Sequence, residues 1–307
     1  IPFAVTLGNH DEEFGKNRLE VFDIIRSIPC NINTPVKEIY GVSNDIITLS
    51  SATDDTVKWV FYLFDSNRHS KLPGIKGYDY IHFDQIAWYR NHSQAFTKRN
   101  GGTPVPSLAF FHIPLPEYNY ATRLDTRRVM KGNFGEEPYS PHVNSGLFVS
   151  LKEMGDVQAI LCGHDHDNDY AMQWNGMFLM FGRFGGCDTV YNDLKPSGAR
   201  VIELTEGEPG FRSWIRIYLY RLSRPGDFAM PRTRDNCFLQ TCWQIPSFDF
   251  QAGNQRPCID QRERLHHIER TLFVFSEMRC ANMRLISGFI GINFENGNLI
   301  RPFFVSY

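Results

Sequence analysis

An α/β or mixed α+β fold is predicted by three features of this sequence. Apolar runs of strand length alternate with longer segments of helical pattern. Three of those runs, at 1–7, 108–111 and 157–162, stop abruptly in polar, histidine-bearing residues. Further strand-like runs separated by glycine turns follow, enough to complete a second sheet.

The elements can be justified in order. IPFAVTL at 1–7 is continuously apolar, as a strand buried on both faces must be, and it runs into Gly8-Asn9-His10-Asp11-Glu12. Residues 12–28 carry a helical pattern, 57–64 read as a strand ending in Asp65-Ser66-Asn67, and 83–99 read as a second helix. The strand 108–111 ends at His112 and the proline-rich PLPEY. A short helix at 145–154 is expected to take Asn144 or Ser145 as its N-cap and to stop at Gly155. The strand 157–162 then leads into Gly163-His164-Asp165-His166. Runs at 177–181, 199–204 and 213–220, with turns at 195–198 and 207–210, supply the remaining strands. There is no internal repeat or low-complexity tract.

The chain has 307 residues, 42% hydrophobic and 14% aromatic, enough to bury a substantial core. A formal charge of -2 with interspersed signs gives no footprint for nucleic acid or an acidic membrane surface, so small substrates are expected. No apolar run reaches the 18 residues of a membrane span. The sequence does not start with Met, and the compartment is left open. Seven cysteines without a CxxC do not form a disulfide framework or zinc ribbon and are expected to be mostly buried thiols. The last 87 residues hold eleven Arg and no Lys, against twelve Arg and nine Lys in the first 220. That shift places a boundary near 221, dividing a domain at 1–220 from an unassigned extension at 221–307, in which only a helix near 262–278 is expected.

The chemistry sits at the three strand ends. Asn9 and His10 set a carboxamide oxygen beside an imidazole, and His164 and His166 stand at i and i+2, where an extended segment points both the same way. His112 adds a nitrogen from another strand end. Ligands gather at the carboxyl ends of strands in open α/β sheets, so the three motifs are expected to converge on one crevice. Mixed nitrogen and oxygen donors favour Fe, Mn or Zn over Mg or Ca.

In this order, GNHD, a strand ending in His, and GHDH resemble the third to fifth motifs of calcineurin-like metallophosphoesterases. FFHIPLPEY at 110–118, VNSGLF at 143–148 and GHDHDNDY at 163–170 look like the purple-acid-phosphatase-like branch. The resemblance covers about residues 1–220. It implies a sandwich of two mixed β-sheets packed face to face with flanking helices. It implies that Asn9, His112 and His164 ligate one metal and His166 a second, making a centre of two divalent or trivalent ions. It further implies hydrolysis of phosphomonoesters by a metal-bridging hydroxide, with His10 assisting the leaving group and Asp11 orienting His10. The family leans toward a secreted or periplasmic setting.

The sequence departs from that family in one respect. The D-x-H and G-D motifs that complete the first metal site do not precede Gly8. A truncated parent is therefore expected, with an unpaired edge where two strands are missing, and the alternative reading is a non-catalytic fragment or pseudophosphatase. Other residues are weighed more lightly. GRFGG at 182–186 reads as a turn rather than a phosphate loop, Asp65 as support for its sheet end, and Arg123, Arg127 and Arg128 as surface rather than phosphate contacts. The cysteines and histidines after 221 read as no zinc site, their spacing being irregular.

Overall fold

A computed structural model describes residues 2–13, 15–123, 130–186, 191–207 and 210–217, together with the strands Thr271–Glu277 and Phe289–Asn293. In chain order the elements are β1 (Phe3–Val5), α1 (Arg18–Arg26), β2 (Asp45–Ser50), β3 (Val57–Leu63), α2 (Phe83–Arg99), β4 (Ser107–Phe110), α3 (Pro116–Thr122) and β5 (Met130–Lys131). There follow α4 (Leu147–Met154), β6 (Val157–Cys162), β7 (Ala171–Trp174), β8 (Met177–Phe181), β9 (Arg183–Phe184), β10 (Gly198–Leu204), β11 (Arg212–Ile217), β12 (Thr271–Glu277) and β13 (Phe289–Asn293). The α/β class is as the sequence predicts. No helix among the described residues is long and apolar enough to cross a membrane.

A seven-stranded mixed sheet runs in the order β2-β3-β4-β6-β8-β7-β5. Its centre, β3-β4-β6-β8, is parallel, so those strands deliver their carboxyl ends to one edge. The second sheet runs β1-β13-β12-β10-β11, built on the antiparallel β10–β11 pair.

Side-chain alternation along the central strands explains the layering. On β3, Trp59, Phe61 and Leu63 join a core cluster that also contains Ala4, Ile202 and Leu204 of the second sheet. Val60, Tyr62 and Phe64 belong instead to the cluster holding Trp88 and Tyr89 of α2 and Leu147 and Leu151 of α4. The period of two thus gives the sheet one face shared with the other sheet and one face covered by helices. Alternation slips by one residue at the start of β6, where the register with β4 shifts between Ser107 and Leu108. On β1, Phe3, Val5 and Leu7 pack against Val21, Phe22 and Ile25 of α1.

Helix limits follow local chemistry. The helix expected over 12–28 is shorter, because residues 10–13 form a turn and Asn17 with Glu20 makes a reciprocal capping box. The second helix runs from Phe83 to Arg99 as expected. The third predicted helix is capped by Gly146 at φ 84°, with Asn144 accepting from the Gly146 N–H at 2.8 Å, and it ends at Gly155 as expected. Helix α3, with Pro116 in its first turn, went unread because its sequence looks like a loop. Strand β2 was also missed, although DIITLS carries a usable apolar pattern.

The expected helix at 262–278 is corrected where it is described: Thr271–Glu277 is a strand antiparallel to β10. β1 stands at the end of its sheet, with β13 antiparallel on one side and Phe3 opposite Gly291. The boundary near 221 lies outside the described residues. Of the described cysteines, Cys162 is a free buried thiol, whereas Cys30 is disulfide-bonded, which the cysteine count did not suggest.

Candidate metal centre

Strands β4 and β6 end side by side, and the loops that leave them carry His112 and His164. The Gly163 N–H donates to the His112 carbonyl at 3.1 Å, coupling the two loops. Strand β1 belongs to the other sheet, yet the Thr6 hydroxyl donates to the Phe64 carbonyl at 2.8 Å and the Leu7 N–H to the Ser43 hydroxyl at 3.1 Å. These bonds bring the Gly8-Asn9 loop to the carboxyl edge of the seven-stranded sheet. The crevice is therefore built from both sheets rather than from neighbouring strands of one.

Three donors converge there. His112 Nε2 lies 2.9 Å from Asn9 Oδ1 and 3.2 Å from His164 Nδ1. All three side chains are buried, at 2% exposure for Asn9, 1% for His112 and 8% for His164. A proton on His112 Nε2 can be directed at only one of its two neighbours. A cation bonded at about 2.1 Å to each atom would put the donors about 3.0–3.4 Å apart, close to the spacings observed. The residues present therefore fit a single cation held by two imidazoles and a carboxamide.

His164 has φ 75°, in the left-handed region that non-glycine residues adopt at an energetic penalty. Tyr78 packs its ring edge-on to this imidazole, with centroids 4.5 Å apart. The left-handed φ at His164 departs from the extended segment that the i and i+2 spacing assumes. His166 makes contacts of its own with the segment around Tyr191. Its Nδ1 lies 2.8 Å from the Tyr191 carbonyl, which fixes the proton there, and its ring packs on Phe184 and Tyr191. Among the described residues, no three or more His, Cys, Asp or Glu side chains form a group that could hold a metal.

His10 is part-exposed, its side chain at 41%, and its Nδ1 lies 2.6 Å from Glu13 Oε1. Asp11 is buried, and its carboxylate accepts from the Gly8 N–H at 2.6 Å, closing the loop that presents Asn9.

The support beneath these loops is polar and buried. Asp65 accepts from Arg18 at 2.5 Å and from the N–H groups of Val42, Ser43 and Asn67. Burial alone would raise its carboxyl, but the Arg18 charge and those N–H groups hold it below its ordinary range. Behind the GHDHDND loop, Asp169 accepts from the Asn133 N–H at 2.7 Å and pairs with Arg183 at 2.6 Å. Arg200, lowered by burial to about 10 against the pull of Asp169, donates to the Phe181 carbonyl at 2.6 Å. The segment around Gly132 and Gly135 zips along the same loop, with the Gly135 N–H on the Asp167 carbonyl and the Asp169 N–H on the Asn133 carbonyl, each at 3.0 Å. Sequence reasoning passed over this network; GNFGEE at 132–137 is the signal that could have marked a close backbone approach.

The lighter expectations also find their places. Arg183 of GRFGG turns into the Asp169 pair, so that segment is scaffolding. Arg123 lies over the Tyr120 ring at 5.1 Å, whereas Arg127 and Arg128 fall outside the described residues, as do Cys187 and the cysteines after 221.

No protein-family model matches the chain. It is 32% identical over 197 residues to "Probable inactive purple acid phosphatase 29" of Arabidopsis thaliana, covering 59% of this chain and 50% of that protein. It is 31% identical over 235 residues to "Phosphatase DCR2" of Saccharomyces cerevisiae, covering 71% of this chain and 39% of that protein. "Probable inactive purple acid phosphatase 28" of Arabidopsis thaliana is 28% identical over 248 residues, 72% of this chain and 58% of that protein. The chain thus spans about half the length of these curated relatives.

Proposed function

We propose, from the premise that this chain is homologous over part of its length to the purple-acid-phosphatase-like branch of calcineurin-like metallophosphoesterases, that it carries an incomplete metallophosphatase centre holding one ion. On this reading its fold is a metallophosphoesterase-type sandwich, and residues 1–220 form the domain that bears the site. The observation that carries the proposal is the donor set. Asn9, His112 and His164 come together, and His166 is held against Tyr191 and Phe184. His166 brings a single imidazole toward a second ion, and one imidazole does not hold a divalent ion against water. Two of the relatives bear names that call them inactive, which agrees with this reading.

A bound Fe, Mn or Zn ion would supply Lewis-acid charge for a phosphate oxygen. The chain's own residues do the rest of the binding work. Asp11 closes the turn that aims the Asn9 carboxamide, the coupled loops set the two imidazoles, and the kink at His164 turns its Nδ1 toward them.

A second reading, metal-dependent hydrolysis of small phosphomonoesters, is favoured by the part-exposed His10, available to give a leaving group its proton, and by the relative named a phosphatase. Metal content per chain, measured by elemental mass spectrometry on purified protein, separates the two. The first reading expects no more than one ion, lost in His112→Ala and His164→Ala. Two ions accompanied by phosphatase activity would overturn it.

A further inference from the structure

We infer that Glu13 is the positioning residue for His10, holding the ring proton on Nδ1 and leaving Nε2 as the nitrogen available to a phosphorylated ligand. The inference rests on the phosphate-directed reading of His10 given above. Glu13 Oε1 lies 2.6 Å from His10 Nδ1, and a carboxylate oxygen only accepts, so the contact assigns the proton to Nδ1. A neutral ring then has its lone pair on Nε2, and a protonated ring has Nε2–H as the donor not engaged by Glu13.

Glu13 is itself held from two sides. Its N–H donates to the His10 carbonyl at 3.3 Å, which fixes the turn from 10 to 13. Its carboxylate meets Arg68 Nη2 at 3.3 Å, and Arg68 Nη1 lies 3.3 Å from Glu12 Oε1. Arg68 follows β3, and its carbonyl accepts from the Asp79 N–H at 3.0 Å. One guanidinium between two carboxylates thus ties the loop after β1 to the segment after β3, with His10 at the end of the chain of contacts. The Asp11 carboxylate closes the loop at Gly8, and Glu13, two positions later, is the carboxylate 2.6 Å from the His10 ring. Exposed ion pairs of this kind contribute little to stability, so changes at Glu13 report positioning rather than folding.

The test is the tautomer of His10 in the full chain. With ¹⁵N-labelled histidine, long-range ¹H–¹⁵N correlations recorded where the ring is neutral report which nitrogen bears the proton. The wild type is expected to show Nδ1–H, Glu13→Ala to move the population toward Nε2–H, and Glu13→Gln, which keeps an acceptor oxygen, to restore Nδ1–H. A wild type already in the Nε2–H form, or a tautomer unmoved by Glu13→Ala, overturns the inference. Titrating inorganic phosphate separates this from the functional reading. A His10 signal that ignores phosphate sinks the phosphate-directed reading, whereas Glu13's role stands or falls on the tautomer alone.

Discussion

Arg18 joins the fully buried carboxylate of Asp65 at 2.5 Å while its other terminal nitrogen donates to the Gly8 carbonyl at 2.7 Å. One guanidinium therefore links the loop that bears Asn9 to the end of β3. Asp65 has no exposed side-chain surface and Arg18 only 12%.

Removing Arg18 strands that carboxylate. Arg18→Ala is expected to lose about 3–5 kcal/mol of stability, the usual result of breaking one side of a buried pair. Urea unfolding monitored by tryptophan fluorescence measures it, and a loss within experimental error would show that the backbone N–H groups suffice.

The same residue predicts a pH dependence. Asp65 is held below its ordinary range when folded, so its contribution is complete above the ordinary value of 3.8 and lost as pH falls from there through the lowered one. The unfolding midpoint should therefore fall between about pH 5 and pH 2. In Arg18→Ala the largest influence holding the Asp65 carboxyl down is gone, so the carboxyl would rise and its share of the dependence should shrink. Parallel acid limbs in the two proteins would contradict this.

Backbone strain at His164 gives a comparison between two variants. Both His164→Ala and His164→Gly remove the imidazole, but only glycine relieves φ 75°. His164→Gly should be more stable than His164→Ala by about 1 kcal/mol. Equal midpoints in denaturant would mean that the strain is absorbed elsewhere.

Gly132 has φ 102°, and a Cβ there would meet the Asp169 carbonyl oxygen at 2.7 Å. Gly132→Ala must distort the GHDHDND loop or its neighbour, and about 1–3 kcal/mol of destabilisation is expected. Thermal unfolding reads the loss, and metal content, if it falls as well, shows that the displacement reaches His164.

Burial holds the Cys162 thiol well above its ordinary range, leaving no thiolate to react. The peptide containing Cys162 should stay unmodified by iodoacetamide at pH 8 in native protein and become alkylated in urea. Rapid native labelling, read by mass spectrometry, would show that the end of β6 opens.

Much of the fold was legible because the relevant signals are local. Val157–Cys162 and Phe83–Arg99 were read to the residue: the first is a continuous apolar run, the second a long periodic one. The strand Thr271–Glu277 was misread as helix. Its pairing with β10 and β13 is long-range, and periodicity in a short apolar stretch does not distinguish the two states.

By itself the sequence determined where apolar strands run out into polar, histidine-bearing ends, in the order Asn9, His10, His112, His164, His166. Tertiary structure decided which of them meet. Asn9 reaches His112 only because the two sheets share a core, a contact across 103 positions that no local pattern encodes. At His164 a positive φ replaces the extended geometry that i and i+2 spacing assumes, so the direction of its imidazole follows φ and ψ rather than the spacing. Glu13 comes to His10 for a similar reason: a turn folds the chain back on itself, and Arg68, 55 positions away, holds the carboxylate there.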